Sequence, residues 1–117
     1  MDLTLVKQTL TYLESLTLLC VEDDKDIRIA YRDIFEDLVD RLIFAVDGKD
    51  GYEKFINEDI DIIVTDYHMP NLNGLEMIEQ IRAINKDIPI VLITAINGEN
   101  IIIKALQLHV NNFIQKP

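Results

Sequence analysis

Residues 60–66 read Ile60-Asp61-Ile62-Ile63-Val64-Thr65-Asp66, a β-branched run that ends on a carboxylate. A strand with one wet face would alternate apolar and polar residues. The uninterrupted centre of this run predicts a strand buried on both faces, as in a parallel sheet. Leu16–Val21 (LTLLCV), Ile88–Ala95 (IPIVLITA) and Phe113–Gln115 have the same character, and Arg41–Val46 (RLIFAV) is a weaker fifth. The segments between them carry apolar residues at helical spacing: Ile27, Tyr31, Ile34 and Leu38; Tyr52, Phe55 and Ile56; Leu75, Ile78 and Ile81; Ile101, Ile102, Ala105 and Leu108. Strands alternating with helices predict a doubly wound α/β sheet.

The bulk numbers agree with one such domain. The chain has 117 residues, 49% of them hydrophobic and 27% charged, which suits a single globular unit with a real core. Its net charge of −10 repels nucleic-acid backbones, so direct nucleic-acid binding by this chain is not expected. The one cysteine, Cys20, lies inside an apolar run and reads as a buried thiol in a reducing compartment. No apolar run is long enough to cross a bilayer, and the N-terminus lacks the features of a signal peptide. A cytoplasmic protein without membrane attachment is the expectation. Leu3, Val6, Leu10 and Leu13 predict a short amphipathic helix ahead of the first strand.

Open α/β sheets bind ligands at the carboxyl ends of their strands. At those ends this sequence places Glu22-Asp23-Asp24, Asp66, Thr94 and Lys116. Carboxylates gathered there repel one another, by roughly 1 kcal/mol per pair at about 4 Å in water and about 4 at an effective dielectric near 20. A single lysine cannot offset them, so either one acid stays protonated or a divalent cation sits among them. An all-oxygen donor set favours a hard ion, and a shallow site with room for water favours Mg²⁺ over Ca²⁺. The same acidic run could instead serve as a helix cap.

From about Leu16 to Pro117 the chain resembles the receiver domain of two-component response regulators. The matching stretches are VEDD followed by Ile27-Arg28, then TDYHMPNLNG (Thr65 to Gly74), ITA (Ile93 to Ala95) and FIQKP (Phe113 to Pro117). The resemblance implies a five-stranded parallel sheet of flavodoxin-like order 2-1-3-4-5. It also selects Glu22 and Asp23 as the acid pair, leaving Asp24 to start the helix. Asp66 is then the phosphorylated residue, taking a phosphoryl group from a histidine kinase or histidine phosphotransfer protein. Mg²⁺ would be held by Asp23, by Glu22 through water, by Asp66 and by the backbone carbonyl of His68. Lys116 would meet the phosphoryl group, Thr94 would read it, and Phe113 would turn inward as the switch aromatic. His68 and Ile96 would flank the hydrolytic water and set the lifetime of the acyl phosphate.

Such a chain is a signalling domain of a bacterial-type phosphorelay. It catalyses only its own phosphorylation and autodephosphorylation. Two alternatives are a receiver-like docking module that is not phosphorylated and an aspartyl-phosphate phosphatase, although His68 stands where the latter would have a second Asp. His109 departs from the family's usual glycine at the end of a helix and reads as a structural residue of positive φ. Asn73 reads as a helix cap, with Met69-Pro70 and Gly74 shaping the loop after Asp66. The expected organisation is an N-terminal helical extension over residues 1–15 and a receiver domain over 16–117 lacking the family's usual fifth helix. The extension is expected to cover the sheet face so vacated, within one chain or in a homodimer. Its deletion should then cause unfolding or aggregation.

Overall fold

The structure, a computed structural model, describes residues 3–95 and 99–116. Its elements run α1 (Leu3–Leu13), β1 (Thr17–Val21), α2 (Lys25–Phe35), β2 (Arg41–Ala45), α3 (Gly48–Asn57), β3 (Ile62–Asp66), α4 (Gly74–Arg82), β4 (Ile90–Thr94), α5 (Glu99–Gln107) and β5 (Asn112–Gln115). The strands form one parallel sheet in the order β2-β1-β3-β4-β5. Winding reverses between β1 and β3, so the carboxyl ends of these two strands border the crevice where such sheets bind ligands.

Every residue of β1 is buried, as its unbroken apolar run requires, whereas of the edge strands β2 is mostly half-buried and β5 mostly exposed. Three strands start later than their apolar runs. Pro89 has no N–H to give to a ladder, and the Asp61 carboxylate turns back to accept from the Thr17 N–H at 2.8 Å. Because side chains alternate along a strand, Leu19, Val21, Ile63, Ile90 and Leu92 share one face. They form the main core with Met77, Ile78 and Ile81 of α4 and Ala105 of α5. Leu18, Cys20, Ile62, Val64 and Asp66 lie on the other face, where α2 packs. Among the described residues the far part of that face is only half covered: Ile62, Val91 and Ile93 are half-buried and Ile114 is 45% exposed.

Caps fix where the helices begin. The Asp24 side chain accepts from the N–H groups of Asp26 and Ile27, that of Asp47 from Asp50, and Asn73 and Glu76 form a reciprocal capping box. His109, expected to adopt positive φ, has φ 56°. Its N–H donates to the Leu106 carbonyl and the Val110 N–H to that of Ala105, which is the Schellman closure of α5. The buried Arg82 guanidinium donates to the carbonyls of Asn85, Leu108 and His109 and so ties α4 to this turn.

α1 forms as expected but does not cover the open face. It has no buried residue, and Leu3, Leu10 and Tyr12 stand in solvent. Only Leu13 reaches an apolar groove of about 170 Å³ at the helix's foot, shared with Leu18, Phe35, Ile62 and Val64. The reason lies in the junction. Ser15 and Leu16 donate to the carbonyls of Tyr12 and Leu13, and so tight a turn leaves no length for the helix to fold back along the strands. No helix among the described residues is long and apolar enough to cross a membrane.

Candidate functional site

β1 delivers Glu22 and Asp23 to the crevice. The Glu22 backbone is held on both sides, its N–H donating to Ala45 and its carbonyl accepting from Arg28 Nη1 at 2.8 Å. Asp24 is occupied as the cap of α2, so the helix-cap reading of the acidic run holds for Asp24 and leaves its two neighbours free for other work. Asp23 is exposed; Glu22 is buried, and although its Oε1 accepts from the Asp24 N–H at 3.2 Å, its Oε2 has no hydrogen-bond partner.

β3 delivers Asp66, which is buried. Its Oδ1 accepts from the Tyr67 N–H at 2.8 Å and its Oδ2 from Lys116 Nζ at 3.0 Å. Lys116 follows β5, and its own N–H is anchored on the Thr94 carbonyl at 2.7 Å. Its ammonium also lies 3.8 Å from Glu22 Oε2, beyond hydrogen-bond range. One oxygen from each of Glu22, Asp23 and Asp66 falls within 4.8 Å of the others. Four residues far apart in the sequence, Glu22, Asp23, Asp66 and Lys116, thus meet at the carboxyl end of the sheet.

The electrostatics of the cluster are unbalanced. Burial above all, and then the charge of Asp66, push the Glu22 carboxyl up to about 7. Burial works against the Lys116 ammonium, but its hydrogen bond and attraction to Asp66, with the charge of Glu22, outweigh this and leave its pKa raised. Without a cation, Glu22 is the acid that holds a proton near neutrality. The orphaned Glu22 oxygen and the all-oxygen donor set fit a hard divalent ion, so the cluster can hold a metal.

Thr94 is wholly buried at the end of β4, and Phe113 is half-buried against the main core. The His68 side chain is exposed, its ring edge-on to Tyr67 at 4.8 Å. Ile96, the other expected hydrolysis-tuning residue, lies outside the described residues.

The loop after Asp66 is pinned at two points. A side chain on Gly74 would overlap the Asp66 carbonyl, and the Gly74 N–H donates to Tyr67 at 2.8 Å. Asn71, at φ 68°, donates through Nδ2 to Asp47 Oδ2 at 2.7 Å, while the Gly48 N–H donates to Leu72. Sequence reasoning missed this second tie, and also the Arg28 bond to Glu22. The Asp47-Gly48 pair directly after a strand was the available signal for the first.

A parallel sheet whose switch-point crevice gathers three carboxylates and a lysine defines a phosphoacceptor signalling domain of the receiver type. The chain belongs to that family: the response regulator receiver domain matches residues 18–117. It is 39% identical over 93 residues to the chemotaxis protein CheY1 of Helicobacter pylori, covering 77% of this chain and 68% of that protein. Among solved structures, the N-terminal domain of an uncharacterized protein from Wolinella succinogenes superposes with TM-score 0.83 at 36% identity, over 88% of this chain and 83% of the other. The CheY of Borrelia burgdorferi, solved in a CheX–CheY–BeF₃–Mg²⁺ complex, superposes with TM-score 0.80 at 26% identity, over 87% and 78%.

Proposed function

We propose that Asp66 accepts a phosphoryl group from a phosphohistidine on a histidine kinase or phosphotransfer protein, in a Mg²⁺-dependent step, and that the new charge switches the domain to control an output. The observation that carries this reading is the buried Asp66 carboxylate, 3.0 Å from the Lys116 ammonium and beside the Glu22 oxygen that has no hydrogen-bond partner. In the transfer, an Asp66 oxygen bonds to phosphorus as the P–N bond breaks, and the imidazole leaves with the electron pair. Lys116 stands ready to balance the charge growing on the phosphoryl oxygens. Glu22, Asp23, Asp66 and the His68 carbonyl would hold Mg²⁺, which when bound supplies further charge neutralisation there. The Mg²⁺ in the Borrelia CheY complex supports the choice of ion.

Thr94 reads the phosphoryl group through its hydroxyl, and Phe113 answers by repacking. The domain catalyses no turnover beyond its own phosphorylation and dephosphorylation. The test is incubation with acetyl phosphate and Mg²⁺, followed by intact mass. The expected result is one added phosphoryl group on the parent protein, none with EDTA and none on Asp66→Asn. An unlabelled parent protein, or a labelled Asn variant, would overturn the reading.

A further inference from the structure

α2 begins at the carboxyl end of β1 and runs back across the face from which Cys20, Val64 and Asp66 project. Its position on that face can be read from two ends. At its start Arg28 bonds the Glu22 carbonyl. At its last turn Phe35 lies in the apolar groove with Leu18, Ile62 and Val64. Tyr31 falls between them, one turn before Phe35, with the two rings 6.0 Å apart. One helical turn advances about 5.4 Å, close to two strand residues. The Tyr31 ring is therefore carried from the level of Leu18 and Ile62 toward that of Cys20 and Val64, the position next below Asp66 on the same face of β3. In agreement, its hydroxyl pKa is raised by burial first, and it senses Glu22, Lys116, Cys20 and Asp66.

We propose that Tyr31 is a positioning residue whose half-buried ring walls off the α2 side of the crevice, keeps water from the Lys116–Asp66 pair, and so holds Lys116 in place. Near a protein surface an ion pair's attraction weakens steeply as water enters around it. A lysine freed from its partner regains several rotatable bonds and must be repositioned for every transfer. The mechanism does not otherwise use Tyr31. The consequence for phosphorylation rests on the reading of Asp66 given above; the consequence for Lys116 does not.

The test uses the parent protein, Tyr31→Phe, which keeps the ring, and Tyr31→Leu, which keeps apolar packing beneath α2 but shortens the wall. Two quantities are measured: solvent exchange of the Lys116 ammonium protons by NMR without any phosphoryl donor, and the phosphorylation rate with acetyl phosphate. The Leu variant should exchange about tenfold faster and phosphorylate about tenfold more slowly, with amide spectra still those of the folded sheet, whereas Phe stays within about twofold of the parent. The proposal is overturned if Leu also stays within twofold in ammonium exchange, or if Phe changes as far as Leu. An unlabelled parent protein sinks the phosphoacceptor reading alone, because the ammonium measurement still decides the role of Tyr31.

Discussion

Glu22 couples the crevice to pH. Its carboxyl is pushed up to about 7 by burial and by Asp66, whereas in the unfolded chain it titrates near its ordinary value of 4.5. Between these values the folded protein holds a proton that the unfolded chain has released. The resulting stability is complete below the unfolded value and is lost as pH rises through the folded one. In metal-free protein, urea unfolding should show a loss on the order of 2 kcal/mol between about pH 5 and pH 8 that is absent from Glu22→Gln. Identical pH profiles for the two proteins would contradict the assignment. Mg²⁺ should stabilise the parent protein most at the upper end of that range, where it does not compete with a proton. Asp66 and Lys116 were legible as residues because each directly follows an apolar run. Tyr31 and Arg28 were not, since helical spacing shows which side of a helix is buried but not which turn lies beside a crevice.

Among the elements, the most testable is the closure of α5. His109 holds a left-handed conformation that costs a residue bearing Cβ roughly 1–2 kcal/mol, part of which glycine gives back through its freer unfolded chain. His109→Gly should therefore raise stability to urea by about 0.5 kcal/mol or more, since the Arg82 bonds go to backbone carbonyls that remain. A decrease would mean that the imidazole contributes something the backbone geometry does not reveal. This cap was legible through the resemblance, because the family's usual glycine at that helix end marks a position of positive φ that few other residue types accept. The Asn71–Asp47 tie was not, because it joins two loops that only the assembled sheet brings together. Strand starts shifted for a similar reason: Asp61 reads as part of an apolar run until Thr17 is known to be its partner.

For the whole molecule, periodicity alone predicted layers and alternation, while the strand order came from the resemblance and the structure agrees with it. The destination of α1 was not legible at all, since an amphipathic stripe says that a helix has something to bury but not where. With no buried residue in α1, deletion of residues 1–14 should leave stability to urea unchanged within about 1 kcal/mol, the scale of a half-buried Leu13. Unfolding of the shortened chain would show that α1 contributes through contacts it makes elsewhere. The middle of the sheet offers a handle of another kind. Cys20 is wholly buried in β1, between β2 and β3, and burial followed by the charge of Glu22 pushes its thiol up to about 12. An alkylating reagent finds neither access nor thiolate there until the central strands part. The molecule thus carries its own timer: the pace at which this one sulfur is alkylated counts openings of the sheet, with no label introduced.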